Sequence, residues 1–296
     1  MIRRTKRRFF QIGTLVVSNS YVGSILYNNI YQGWFKGICV PVMNCYGCPL
    51  AVMSCPIGTL QHFVIIKAIP FMLIGFLGTI GLVVGRMTCG WLCPFGFFQE
   101  MLYKIKTRKL YPRKVFNYTK YVILIGLTLL VAYWVGEPWF CKLCPVGSLE
   151  ASVPLSLWNP SGDIFTQGGS VVSRAGVLFF TKILILGAVV TAAIFVYQPF
   201  CRYACPLGAI WSMFNRFSLF QMKTCDDTCE LGEECREECP MDIYVHKTPN
   251  AGDCTRCLEC TKCENVRFQL AWSKDRLRSG RLRPSSESEQ KREGGR

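Results

Sequence analysis

Gly85 to Gly96 reads GRMTCGWLCPFG: two cysteines four residues apart, Cys89 and Cys93, the second opening the tetrapeptide C-P-x-G at the end of an apolar run. The tetrapeptide recurs as CPIG at Cys55, CPVG at Cys144 and CPLG at Cys205, each time beside a hydrophobic segment. A repeated unit is read before any local feature, because it states how the chain is built. Proline suits the first turn of a helix, where an N–H would have no partner, so every copy predicts a turn into a helix.

The chain has 296 residues, 18 of them cysteine, with 50% hydrophobic residues and a mean hydropathy of +0.24. It is too long and too apolar for a small disulfide scaffold, and its cysteines are clustered, which points to metal ligation. The net charge of +15 comes from bases beside apolar runs and in the tail, where lipid headgroups and topology account for them, so nucleic acid is not the expected partner. The two histidines, His62 and His246, cannot make a bis-histidine haem site in a helical bundle, and no C-x2-C-H attachment motif is present; no haem is expected. No Walker loop or G-x-G-x-x-G fingerprint occurs either. His62 reads as an interfacial side chain, with proton transfer at a quinone site as its functional alternative.

Four stretches, about 9–30, 63–84, 118–136 and 177–197, are of a length to cross a bilayer. They predict a mainly α fold: a polytopic membrane bundle of four transmembrane helices over 9–220, after a basic flank at 1–8. Bases in the flank and the successive short loops number five, one, eight and two. The positive-inside rule then places both termini in the cytoplasm, in a multi-pass protein of the cytoplasmic (inner) membrane. The two helix pairs become copies of one unit, an inverted-repeat-like arrangement. Phe97, Phe98, Met101, Leu102 and Ile105 predict an interfacial amphipathic helix. Residues 221–268 are polar, carry eight cysteines and predict a small α+β ferredoxin-like domain. Residues 269–296 form a basic tail without hydrophobic periodicity, expected to be disordered.

This topology sorts the cysteines by membrane face. Cys89, Cys93, Cys201 and Cys205, two C-x3-C pairs, fall inside and supply the four thiolates of one 4Fe-4S cluster. Zinc accepts the same donors, although its knuckles are usually C-x2-C. Cys45, Cys48, Cys55, Cys141 and Cys144 fall outside with Cys39, and two readings compete for them: a further cluster, or disulfides and exchange-active dithiols. In the polar domain Cys254, Cys257 and Cys260 form C-x2-C-x2-C, and Cys239-Pro240 offers the remote fourth ligand of a two-cluster ferredoxin. Cys225, Cys229, Cys235 and Cys263 would complete a second cluster with wider spacings.

These motifs, NCYGCPLAVMSCPIG, GRMTCGWLCPFG, WFCKLCPVGSLEASVP and PFCRYACPLGAI ahead of a ferredoxin-type segment, resemble the membrane polyferredoxins of the NapH and NosR type over residues 10–268. The resemblance implies a polytopic iron–sulfur protein with two to four 4Fe-4S clusters. It implies electron transfer between cytoplasmic ferredoxin-type clusters and a quinone pool, an outer cluster or a partner oxidoreductase, as a subunit of a larger complex. Membrane lipid, an electron-donor or oxidoreductase partner and a quinone are the implied partners. The run Cys225 to Cys235 and the missing proline after Cys263 depart from the pattern. A transmembrane thiol–disulfide conduit and a zinc-holding or sensory membrane protein remain the readings from other classes.

Overall fold

The computed structural model describes residues 2–24, 30–110, 112, 114–158, 176–224, 239–262 and 266–272. The chain opens with helix α1 (Ile2–Ser18) and, after a cysteine-rich loop, α2 (Pro56–Ile65). One unit then occurs three times: an apolar helix, a residue at positive φ, a five-residue helix carrying a cysteine, and a second cysteine that caps the next helix. In the first copy α3 (Phe71–Val84) turns at Gly85 (φ 54°) into α4 (Met87–Trp91), and Cys93 caps α5 (Pro94–Tyr103). In the second, α6 (Val115–Val135) turns at Gly136 (φ 72°) into α7 (Trp139–Leu143), and Cys144 caps α8, which starts at Pro145–Gly147 and runs on through Ser148–Ser152 and Val153–Trp158. In the third, α9 (Val177–Phe195) turns at Gln198 (φ 46°) into α10 (Pro199–Tyr203), and Cys205 caps α11 (Pro206–Phe214).

The expected helix starts are therefore found at all four C-P-x-G copies. Each cysteine is extended, with φ from −66° to −75°, and each proline takes the first helical position. Glycine two residues after the proline is demanded by close approach: a Cβ on Gly96 would stand 3.0 Å from the Cys89 carbonyl oxygen, and one on Gly208 2.9 Å from that of Cys201. The tetrapeptide thus folds back on its own short helix.

α6 and α9 are each long and apolar enough to cross a membrane. A 19-residue helix such as α9 rises about 28 Å against a hydrocarbon core of roughly 30 Å. Val122 and Ile125 on α6, and Phe180 and Leu184 on α9, are exposed. Bare apolar faces of this extent suit lipid rather than water.

Two expected helices are shorter than the sequence implies. The stretch 63–84 is split between α2 and α3: Lys67 takes φ 56°, and Pro70 precedes the 14-residue α3. Proline has no N–H to continue a ladder, so the break falls there. The stretch 9–30 is not one helix: α1 ends at Ser18, where Asn19 bonds Leu15 and Asn44, Gly23 and Ser24 are helical again, and residues 25–29 lie outside the described residues. The stretch expected as an interfacial helix is helical as α5, and Glu100 on it is buried. Arg7 donates to its Oε2 at 2.6 Å, and Tyr197 and Gln198 donate to its Oε1 at 2.6 Å and 3.0 Å. Burial pushes the Glu100 carboxyl up, and Arg7 holds it back.

One hydrophobic core joins the units and contains Cys89, Cys93, Cys144, Cys201 and Cys205 among its buried residues, with Cys55 and Cys141 packed against it. Beyond α11, β1 (Phe220–Thr224) pairs antiparallel with β2 (Val266–Leu270), Phe220 opposite Leu270 and Thr224 opposite Val266. The segment 239–262 docks on the bundle through Asp253, which accepts from Lys120 Nζ at 2.7 Å and from Asn117 Nδ2 at 2.5 Å.

Arg7→Ala leaves the Glu100 carboxylate buried without its cation, and should destabilise the protein by about 3–5 kcal/mol. Denaturant unfolding in detergent checks this. Adding Glu100→Gln to Arg7→Ala should recover part of the loss, and a change near zero in the single variant would show that the pair carries no weight.

Candidate metal centres

The Cys89 site is built where α4, α5, α10 and α11 meet. Its four thiols are 3–7% exposed. Cys93 and Cys201 hydrogen-bond each other, and Cys205 interacts electrostatically with Cys89 and Cys93. Polar hydrogens converge on the sulfurs. Gly208 N–H donates to Cys205 Sγ at 3.3 Å and Gln99 Nε2 to Cys201 Sγ at 3.2 Å. The N–H groups of Gly96, Met43 and Phe95 point at Cys93, and the Arg86 side chain bonds Cys89. Arg86 is fully buried and also donates to the Cys201 and Gly252 carbonyls.

Burial works against the donors. It pushes Cys89 up to about 11 and Cys205 up to about 12, so as bare thiols both hold their protons at neutral pH. Within the hydrogen-bonded pair, Cys93 ionises first, because Cys201 donates to it. Sulfur ligates metal as thiolate, and metal supplies the positive charge that the buried site lacks. Among the described residues no three His, Cys, Asp or Glu side chains stand close enough to grip one ion. A four-iron cluster takes one thiolate per iron and spreads its ligands, so four thiols gathered in one buried site and met by N–H donors fit a 4Fe-4S group.

The Cys254 site lies in the docked segment. Cys239, Cys254 and Cys257 interact electrostatically, and Cys239 and Cys260 share one small core with Met222, Val245 and Val266. Arg256 (φ 51°) and Leu258 (φ 62°) adopt positive φ between the cysteines. Such alternation turns successive N–H groups to one side, the backbone nest found at phosphate and iron–sulfur sites. Accordingly Arg256 N–H donates to Cys254 Sγ at 3.4 Å, Glu259 N–H serves Cys257, and those of Met241 and Ile243 serve Cys239. Burial pushes Cys257 up to about 12. These donors and sulfurs fit a cluster as the first set does. Cys225, Cys229, Cys235 and Cys263 lie outside the described residues.

The two sites touch. A Cβ on Gly90 in α4 would collide with the Thr255 carbonyl, and Trp91 Nε1 donates to the Arg256 carbonyl at 3.1 Å. The Arg256 guanidinium bonds the Val84 carbonyl at 2.9 Å and the Asn215 carbonyl at 2.7 Å, pinning the loop to the ends of α3 and α11.

A third group gathers at the other end of α6. Cys45, Cys55, Cys141 and Cys144 line a cavity of about 770 Å³, together with Lys36 and His62. Cys144 interacts electrostatically with Cys141, Cys55 and Cys45. Cys39 and Cys48 are absent from this wall: Cys39 Sγ lies 3.3 Å from Thr59 Oγ1, and Cys48 is buried near Lys36. His62 is exposed and edge-on to Phe63.

The sequence reading missed the residue six places beyond each C-P-x-G cysteine: Gln61, Gln99, Glu150 and Trp211. Three of them reach across to the opposite motif. Gln99 Oε1 accepts from Phe200 N–H at 3.0 Å, Gln61 Oε1 from Cys141 N–H at 3.3 Å, and Glu150 Oε2 from Cys45 N–H at 2.7 Å. The available signal was a polar residue at one fixed offset in three of the four copies.

Sulfur sites of this kind, beside helices able to cross a bilayer, define a membrane-associated 4Fe-4S protein. Over residues 65–114, 120–152 and 178–224 the chain matches a family described as a 4Fe-4S binding domain, and the three stretches coincide with the three structural units. It is 33% identical over 206 residues to the uncharacterized protein MJ0750 of Methanocaldococcus jannaschii, covering 65% of this chain and 76% of that one. It is 24% identical to the regulatory protein NosR of Stutzerimonas stutzeri over 80% of this chain and 31% of NosR. It is also 25% identical to the putative electron transport protein YccM of Escherichia coli, over 68% of this chain and 55% of YccM. The chain thus spans about a third of NosR and about half of YccM. No solved structure matches it. The chain belongs to the membrane-associated 4Fe-4S electron transport proteins of the NosR and NapH type.

Asp253→Ala should loosen the segment 239–262 from the bundle, raising its amide exchange while α6 and α9 keep their protection. Hydrogen exchange with mass spectrometry reads this directly. Unchanged exchange across 239–262 would mean that the contacts of Arg86, Trp91, Asn215 and Arg256 suffice to hold the loop.

Proposed function

We propose that this protein carries single electrons between a ferredoxin-type cluster held by Cys239, Cys254, Cys257 and Cys260 and a membrane-end cluster held by Cys89, Cys93, Cys201 and Cys205, and from there to a redox partner. The observation that carries the reading is the direct seating of the Cys254 loop on the short helix of Cys89, at Gly90 and Thr255. A structural metal needs no neighbour; two sulfur sites in backbone contact suit one-electron exchange. Cys225, Cys229, Cys235 and Cys263 supply a second ferredoxin-type cluster, completing a two-cluster domain over 221–268. YccM is named a putative electron transport protein, which agrees with this reading.

In the same proposal the chain crosses the inner membrane four times with both termini cytoplasmic. The loop charge counts support this orientation. α6 and α9 cross as single helices. α1 and α3 are shorter, with 17 and 14 residues, and their crossings are completed by the segments around 19–24 and α2. Non-helical backbone at that depth is tolerated where protein buries it. Quinone or a partner oxidoreductase takes or gives the electrons, and the protein works as a subunit of a larger redox complex.

Anaerobically purified protein should contain iron and acid-labile sulfide in equal amounts and give low-temperature EPR signals on reduction. Cys93→Ala with Cys201→Ala should remove about four irons per chain. Stoichiometric zinc without iron, and no signal on reduction, would replace this reading with that of a zinc-holding or sensory protein.

A further inference from the structure

We propose that Cys45, Cys55, Cys141 and Cys144 hold an additional 4Fe-4S cluster set against the Cys89 site, with Cys39 and Cys48 outside its ligand set. The proposal deepens the function given above and rests on it.

The donor set is sulfur, contributed by two motifs that face each other. Cys45 and Cys55 come from the loop before α2 and from its cap, and Cys141 and Cys144 from α7 and the cap of α8. The motifs interlock crosswise. A Cβ on Gly147 would stand 3.3 Å from Cys45 Sγ, tighter than ordinary contact, and one on Gly58 3.8 Å from Cys141 Sγ, so the glycine of each C-P-x-G lies beside the other motif's thiol. Two further bonds close the frame: Cys45 N–H to Glu150, and Cys141 N–H to Gln61. The cavity between them leaves space that the side chains do not fill.

A second observation is that the frame of this site repeats that of the Cys89 site. Gln61 is fully buried, its Oε1 is used by Cys141 N–H, and its Nε2 has no partner among the described residues. Gln99, at the same offset in the Cys89 site, turns its Nε2 onto Cys201 Sγ at 3.2 Å. Gln61 does not line the cavity; what it shares with Gln99 is the bond across to the opposite motif.

The position of the site explains its use. One residue, Met43, separates the two sets: its N–H points at Cys93, and its sulfur lies 3.6 Å from Cys55 Sγ. Cys55 also interacts electrostatically with Cys205. Clusters at opposite faces of a bilayer would be separated by roughly 30 Å of hydrocarbon. Here both sets are drawn into one core, so that electrons can be passed from one end of the bundle toward the other.

The test is iron and acid-labile sulfide per chain, with reduced EPR spectra, on full-length protein purified without oxygen. Cys55→Ala with Cys141→Ala should lose about four irons and four sulfides relative to wild type, and Cys39→Ala with Cys48→Ala should lose none. Unchanged iron in the first variant, or loss in the second, overturns the proposal. Peptide mass spectrometry of the unreduced wild-type protein keeps the question decidable should a variant not fold: free Cys141 and Cys144 are expected, and a disulfide between them refutes a cluster. Iron retained in Cys55→Ala with Cys141→Ala but lost in Cys93→Ala with Cys201→Ala sinks this proposal alone. Iron retained in both sinks the underlying function as well.

Discussion

A helix that begins at proline still has unmet N–H groups in its first turn, and in this chain a cysteine sulfur faces them. Cys205 accepts from Gly208 N–H at 3.3 Å, and the N–H groups of Phe95 and Gly96 are directed toward Cys93, that of Gly147 toward Cys144 and that of Ile57 toward Cys55. The N-terminal end of a helix favours negative charge, so the arrangement is prepared for thiolate. Every larger feature follows from it. Gly96 and Gly208 let the new helix fold back on the old one, the apolar helices splay from that elbow, and two elbows placed face to face make one sulfur site.

Burial makes the arrangement costly until metal arrives. Thiols sunk in the main core resist ionisation, and the protein meets the charge with fixed cations: Arg86 beside Cys89, and Arg256 beside Cys254. Each guanidinium also spends its hydrogens on backbone carbonyls of a different segment, Arg86 on Cys201 and Gly252, Arg256 on Val84 and Asn215. The residues that balance the sulfur sites are therefore the ones that fasten the C-terminal segment to the bundle. An Arg→Lys change at either position would keep the charge and lose the fork that joins two partners.

Much of this was legible from spacing. The repeat located four helix starts, and α6 and α9 were readable as uninterrupted apolar runs. The structure also brings Cys89, Cys93, Cys201 and Cys205 together, as their paired spacing implied. What escaped depends on distant partners. Glu100 lies in the stretch that read as an interfacial amphipathic helix, yet it is buried against Arg7, 93 residues away. Pro70 is tolerable in a membrane helix, so its presence could not announce the break between α2 and α3. Gln61, Gln99 and Glu150 look like ordinary polar residues until the opposing motif is in place. The positive φ of Arg256 and Leu258 is a demand of the nest, which outweighs the preference of those side chains for ordinary backbone.

The central claim is that the sulfur sites adjoin one another as one electron path, and the most direct measurement is magnetic interaction between reduced clusters in the intact protein. The account predicts that EPR of the fully reduced protein shows broadening and fast relaxation from coupled spins, simplified when the Cys89 site is removed. A spectrum that is the plain sum of isolated, non-interacting clusters would contradict it.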